Sequence, residues 1–360
     1  MKFLLACDKF KGSVSASEVG EAIAHGIAHH DICDQCPITD GGDGFAKIIS
    51  DASRGAWVYS QAKDPLGKSI MTRYVVTGDT AVIEMSEVAG LRRIKELDVL
   101  NANTFGVGQL IRNAANDPKV KKIIIGLGGS ATNDGGIGMA VALGAKLLDK
   151  DGNELEPKVT ELAKLDRVDG SGIGELPPIM AACDVTNPLL GDNGATAIYG
   201  PQKGATKEDQ VILEAALAKL AACTDWAGLA TKPGSGAAGG LGYGLMAFAD
   251  AKLVPGFDLF AETVKLKSRI EAADVVITGE GSLDAQSFNG KGPIGVAQMA
   301  KEAGKKVIVV CGRIDEDLKD NELFDAVYTV RDQYETDEES IQNAGKILQK
   351  FGQEIYDNFG

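Results

Sequence analysis

Three short apolar runs, KFLLAC at residues 2–7, ADVVITGEG at 273–281 and KKVIVVCG at 305–312, stand beside segments of helical period, and this alternation constrains the fold more than any other feature. Runs of this length suit strands buried on both faces and are too short for core helices. The first is followed by a polar loop and then by SASEVGEAIAHGIAHH, where Ser15 or Ser17 can cap a helix and Val19, Ile23 and Ile27 recur on one face. After ADVVITGEG come GPIGVAQMAKEAG, the strand KKVIVVCG, a further strand FDAVYTV and a terminal helix EESIQNAGKILQKFGQEIY. Apolar strands alternating with helices predict a parallel sheet covered on both faces. Because such units occupy both chain ends, the sequence predicts a two-domain α/β protein. A Rossmann-like or flavodoxin-like parallel-sheet domain would comprise residues 1–60 plus 261–360, with a second α/β domain inserted over 61–260.

The inserted part begins with AWVYSQAKDPLGKSIMTRYVVTGDTAVIEMS, whose β-rich segments are separated by Pro-Leu-Gly and Gly-Asp, a pattern of antiparallel hairpins. A helix follows near TFGVGQLIRNAAND, then the strand KKIIIGLG, a helix over GGIGMAVALGAKLLD and a strand PPIMAACDV. Two more helices are expected in EDQVILEAALAKLAA and GLGYGLMAFADA.

Charge and cysteine usage exclude several function classes. The chain has 51 acidic and 37 basic side chains and no basic stripe, so no nucleic-acid partner is expected. Six cysteines scatter in or beside apolar runs, unlike the dense framework of a small secreted fold. The apolar run before Asp8 is only five residues long, and no apolar segment reaches membrane-spanning length. A cytoplasmic protein with no membrane partner and no obligate protein partner is the expectation. Histidine occurs only at 25, 29 and 30, near the lone pair Cys33 and Cys36. A single C-x-x-C is weak ground for a zinc or redox site. Acid–base work therefore falls to carboxylates and lysines.

Two phosphate-loop patterns are rejected on spacing. Gly67-Lys68-Ser69 ends like a Walker A loop, but the required first glycine is Ala62 and a strand-like segment follows where a helix is needed. GLGGSATNDGG follows a strand but lacks G-x-G-x-x-G spacing, because position 131 is Ala. Its glycines, hydroxyls and following helix could present backbone amides to an anion, or could form only a tight turn capped by Asn133 or Asp134.

The polar groups with chemical reach gather in glycine-rich loops at predicted strand ends. ACDKFKGS carries Asp8, Lys9, Lys11 and Ser13, and TDGGDG carries Asp40 and Asp43. ACDVTNPLLGDNGA carries Asp184, Thr186 and Asn187, YGPQKGA carries Lys203, and TGEGSLDAQSFNGKGPIG carries Glu280, Ser282, Asp284 and Lys291. Ligands in open α/β sheets bind beyond the carboxyl ends of strands, so several such loops can serve one reaction. Carboxylates for a hard cation, with lysines and backbone amides for equatorial oxygens, suit phosphoryl transfer.

DKFKGSVSA, DGGDG, GLGGSATNDGGIGM, ACDVTNPLLG, YGPQKGA, GAAGGLG and TGEGSLDAQSFNGKGP occur in this order over essentially the whole chain, which resembles the type-1 glycerate kinases. The resemblance implies a kinase that uses ATP and Mg2+ to phosphorylate D-glycerate on the 2-hydroxyl, with the active site between the two domains. A 3-phosphoglycerate-forming or other small hydroxy-acid kinase, and a non-catalytic sugar-acid sensor, are the alternatives. Carried over by position, it marks Asp184 as general base or aligner, Lys9 and Lys291 as cations for carboxylate or phosphate, and Asp8 as catalytic. Lys11, Ser13, Ser130, Thr132, Asn133, Asn187 and Lys203 would bind substrate or phosphate, and Asp284, Glu280 and Asp43 would form the acidic corner near magnesium.

Overall fold

The structure is a computed structural model that describes the 360-residue chain except residues 28–31, 40–43, 225–226, 285–286 and 288–291. The chain forms two compact units. Unit 1 is Met1–Asp40, Lys47–Arg54 and Phe257–Gly360, and unit 2 is Gly41–Ala46 and Gly55–Gly256.

Unit 1 is built on five parallel strands in the order β15-β13-β11-β1-β2. They are β1 (Phe3–Cys7), β2 (Cys33–Gln35), β11 (Val275–Gly279), β13 (Lys306–Cys311) and β15 (Ala326–Thr329). Every residue of β1 and β11 is buried, as continuous apolar runs in a sheet covered on both faces must be. Helix α1 (Ala16–Gly26) starts at Ser15, whose hydroxyl accepts the Glu18 N–H while the Glu18 side chain accepts the Ser15 N–H. Ser17 instead donates to Asp51 of α2 (Phe45–Ser53). The α1 residues Val19 and Ile23 share one core with Leu348, Phe351 and Ile355 of the terminal helix α12 (Asp337–Phe359) and with Phe3, Leu5, Val275, Ile277, Ile308 and Val310. Removing all of a side chain such as Ile23 from that core costs about 2–5 kcal/mol.

Unit 2 has a mixed six-stranded sheet, order β10-β9-β6-β5-β4-β3. The hairpin strands β3 (Ala56–Lys63) and β4 (Ser69–Thr77) are antiparallel, as is the pair β4 and β5 (Thr80–Glu84). From β5 onward, β6 (Lys122–Gly126), β9 (Ile179–Ala182) and β10 (Lys252–Val254) run parallel. Gly67-Lys68 lies in the β3–β4 turn and Ser69 opens β4; in the turn the Asp64 carboxylate accepts the N–H groups of Leu66 and Lys68. The helix predicted over GGIGMAVALGAKLLD is shorter than its pattern. α5 (Ile137–Leu143) stops at left-handed Gly144, and Lys146–Leu148 becomes a strand, β7, paired with β8 (Arg167–Asp169).

The remaining helices are α3 (Ser86–Ala89), α4 (Phe105–Ala115), α6 (Ala195–Tyr199), α7 (Lys207–Cys223), α8 (Ala237–Ala249), α9 (Gly256–Thr263), α10 (Leu266–Ala272) and α11 (Gly292–Glu302). A short parallel pair, β12 (Ser282–Leu283) and β14 (Arg313–Ile314), ties two strand-end loops of unit 1 together. Among the described residues no helix is long and apolar enough to cross a membrane.

Candidate active site

In unit 1 the loops that leave β1, β11, β13 and β15 surround one cavity of about 500 Å3. Asp8, Lys9, Lys11, Ser13 and Glu280 line it, together with Arg313 and Arg331. The loops fix one another through the backbone. Asp8 N–H donates to Gly279 O at 2.8 Å, Gly312 N–H to Glu280 O at 3.1 Å and Arg331 N–H to Gly312 O at 2.9 Å. Gly279 has φ 153°, and a Cβ there would collide with Val310 O, so only glycine lets the β11 loop turn this close to β13. Asp8 Oδ1 accepts the Lys9 N–H at 2.6 Å, Ser13 Oγ donates to Ile341 O at 2.6 Å, and Arg313 Nε donates to Ser282 Oγ at 2.8 Å. Carboxylates and cations thus share one concave wall. A larger cavity of about 660 Å3 in the same unit is walled by Asp320, Glu322, Asp325, Asp332 and Glu354 with Lys319, an acidic balance that opposes a polyphosphate. Asp284 lies in a separate local turn, its Oδ1 accepting the Ser287 N–H at 3.1 Å.

In unit 2 the loop after β6 is packed into the protein. Thr132, Asn133 and Asp134 are completely buried and Ser130 nearly so. Asp134 Oδ2 accepts from Thr104 N–H and Oγ1–H, both at 2.8 Å, and from Gly138 N–H at 3.1 Å; Oδ1 accepts from Gly136 N–H at 3.1 Å. Thr104 is the residue before α4, so this carboxylate joins the starts of α4 and α5. The opposing glycine loop comes within backbone contact: Gly239 has φ 71°, and a Cβ there would collide with Thr132 O. Glycine islands 126–138 and 234–244 therefore exist in part because two backbones touch. Asn133 Nδ2 donates to Thr196 Oγ1 at 3.1 Å, while among the described residues Thr132 Oγ1 and Asn133 Oδ1 are buried without a hydrogen-bond partner.

Lys203 is also buried, its Nζ donating to Thr132 O at 2.7 Å. Burial pushes this lysine down to about 7, against the opposing charge of Asp134. Burial likewise raises Asp134, and its four hydrogen-bond donors oppose that rise. Below about pH 7 Lys203 is protonated in both states and its desolvation penalty is complete. Above that, the folded protein releases a proton that the unfolded chain keeps up to the ordinary lysine value of 10.5, so this group makes stability rise with pH. The buried thiols Cys36, pushed up to about 11, and Cys311, pushed up to about 12, act in the opposite sense once unfolded thiols ionise. Urea unfolding at pH 7 and pH 8 is therefore expected to show the wild type gaining on the order of 1 kcal/mol relative to Lys203→Met. A pH-independent difference would refute this titration.

The loop after β9 carries Asp184 and Asn187. Asp184 Oδ1 accepts the Gly256 N–H at 2.8 Å, which fixes the carboxylate on an otherwise exposed segment. Asn187 Oδ1 accepts from Tyr199 OH at 2.7 Å, and its Nδ2 donates to Asn193 O at 2.8 Å. At the end of β5, Glu84 is buried and accepts the N–H groups of Gly44 at 3.0 Å and Ala46 at 3.4 Å. Asp40, Asp43, Lys291, His29 and His30 lie outside the described residues. Among the described residues no three His, Cys, Asp or Glu side chains are grouped to hold a metal ion.

The Glycerate kinase family profile matches residues 3–359. The chain belongs to the glycerate kinase family. It is 40% identical to the Escherichia coli (strain K12) glycerate 2-kinase, over 96% of this chain and 94% of that one. It is 38% identical to the Bacillus subtilis (strain 168) glycerate kinase, over 99% of this chain and 97% of that one. The crystal structure of a Salmonella typhimurium LT2 protein assigned as glycerate kinase 2 superposes with a TM-score of 0.84 at 38% identity, covering 99% of this chain and 98% of that one.

In this family member the sequence reading passed over Arg313, Arg331 and Glu84 and took Asp134 only as a possible cap. Arg313 follows the run VIVVCG directly, so the strand-end rule that selected Lys9 could have selected it as well. Glu84 ends the run TAVIE and carries no loop signal.

Proposed function

We propose that this chain is a type-1 glycerate kinase that transfers the γ-phosphoryl group of ATP to the 2-hydroxyl of D-glycerate, giving 2-phosphoglycerate and ADP in the cytoplasm. The observation that carries this reading beyond the family is the unit 1 cavity, where Lys9, Lys11 and Arg313 share a wall with Asp8 and Glu280. Cations of this kind stabilise the equatorial oxygens of a transferring phosphoryl group. The 2-position rests on the identity to the Escherichia coli glycerate 2-kinase.

The donor set fits magnesium, since Asp8 and Glu280 offer hard oxygens beside lysines suited to phosphate. Glu280 with Asp284 and Asp43 would hold the ion, and magnesium bound there would neutralise charge on the phosphate oxygens. Lys9 and Lys291 bind the anionic groups of the substrates, assisted by Lys11 and Ser13. In unit 2, Asp184 hydrogen-bonds the acceptor hydroxyl and takes its proton late in the transfer. Asn187 helps orient the acceptor. Ser130, Thr132 and Asn133 form the anion-facing turn, and the two buried polar atoms without partners support a ligand or water there. Lys203 holds that turn through Thr132 O.

An acceptor screen on chelator-treated protein, read by ADP release, tests the reading. D-Glycerate should be the preferred acceptor, with turnover restored by magnesium and not by zinc. Glycerate binding without ADP release would favour a sensor, and faster turnover of another hydroxy acid would reassign the substrate.

A further inference from the structure

Unit 2 has a concave site of about 380 Å3 lined by the β3–β4 hairpin and by Glu87, Arg92 and Arg93. None of its lining residues is among those assigned to phosphoryl transfer. Its feature is a convergence of arginines on Glu87. Arg92 Nη2 is 3.1 Å from Glu87 Oε1, Arg93 Nη2 hydrogen-bonds Oε2, and Arg73 Nε stands 4.0 Å from Oε1. Arg92 also pairs with buried Glu84 at 3.0 Å. Three guanidiniums thus face two carboxylates, which leaves one positive charge without a counter-charge in this cluster. Arg93 Nε is buried and has no hydrogen-bond partner among the described residues. Such a donor costs about 1–3 kcal/mol unless a ligand or water satisfies it.

The cluster is also preorganised. The Arg73 guanidinium lies 4.0 Å from the centroid of the Trp57 ring, a cation–π contact that restricts its orientation. The hairpin register sets Tyr59 opposite Arg73, and Tyr59 and Met71, which both line the site, are 65% and 60% exposed. An arginine cluster beside an exposed aromatic and a thioether suits an oxyanion carried on an apolar body.

We infer that Arg73, Arg92 and Arg93 form a binding site for a small phosphate monoester whose organic part packs on Tyr59 and Met71. The one excess guanidinium charge attracts the anion, and the planar forks supply paired N–H donors to phosphate oxygens. This site stands whether or not the glycerate kinase reading does.

Trp57 gives a local readout, because the chain has only two tryptophans and Trp226→Phe leaves Trp57 alone. In that variant of the full chain, titration with phenyl phosphate at constant ionic strength should give a saturable change in tryptophan emission. Inorganic phosphate should need about threefold higher concentration, since it lacks the apolar body. Arg93→Ala, added to the same variant and checked for folding by circular dichroism, should weaken phenyl phosphate at least about tenfold. A change that never saturates, or equal saturation in the Arg93→Ala protein, would overturn the site. Should Trp226→Phe fail to fold, calorimetric titration of wild type against Arg73→Ala at saturating ATP decides the matter: loss of a binding event supports the site, and identical isotherms refute it.

Discussion

Replacing Asp134 by alanine is expected to destabilise unit 2 by about 3–5 kcal/mol, because it strips the partner from several buried groups at once. Thr104 N–H, Gly136 N–H and Gly138 N–H all lose their acceptor, and buried Lys203 loses the opposing charge that offsets its desolvation. Adding Lys203→Met should recover part of that loss. The second change removes a buried amine that has lost its charged neighbour, so the double variant should be more stable than Asp134→Ala alone. Both tryptophans, 57 and 226, fall within the residue range of unit 2, so fluorescence-detected urea unfolding reports on it. A loss for Asp134→Ala below about 1 kcal/mol would mean that the carboxylate does not join the two helix starts as described.

Asp184→Asn has the largest expected effect on chemistry. The substitution keeps size and an oxygen that can still accept the Gly256 N–H, but it deletes the charge that draws the hydroxyl proton. Turnover should fall about 100-fold or more, with magnesium–nucleotide affinity changed only slightly. Steady-state kinetics paired with calorimetry of the magnesium–nucleotide complex separates the roles. Near-normal turnover would remove Asp184 from the proton path. Lost turnover with severely weakened magnesium–nucleotide binding would move it to the metal and leave the proton to Asp8, Asp43 or Asp284.

Four of the five strands of unit 1 were legible as apolar runs between helices, whereas the edge strand β2, Cys-Asp-Gln, carries no apolar pattern. The hairpins of β3, β4 and β5 were legible from their alternation and from the turn residues Pro65 and Gly67. Lys146–Leu148 was lost inside a helical pattern because apolar residues continue past Gly144, and only the left-handed backbone at Gly144 ends the helix. At the candidate site, the glycine loops announced themselves through composition, but their interior chemistry did not. Asp134 reads locally as a cap, whereas its principal partner Thr104 lies 30 positions earlier. Lys203 reads as a loop lysine for substrate or phosphate, and nothing local marks its carbonyl partner Thr132, 71 positions away. Such roles are set by tertiary packing, which one-dimensional spacing does not contain.

The central claim is transfer of phosphate from ATP to the 2-hydroxyl of D-glycerate, and proton-coupled phosphorus NMR of the reaction mixture tests it most directly. An ester at the 2-position has one proton on the carbon that bears the ester oxygen, so the product signal should be a doublet. A triplet, from the two protons of the 3-position, would contradict the proposed regiochemistry, and ADP with inorganic phosphate alone would contradict the transfer itself.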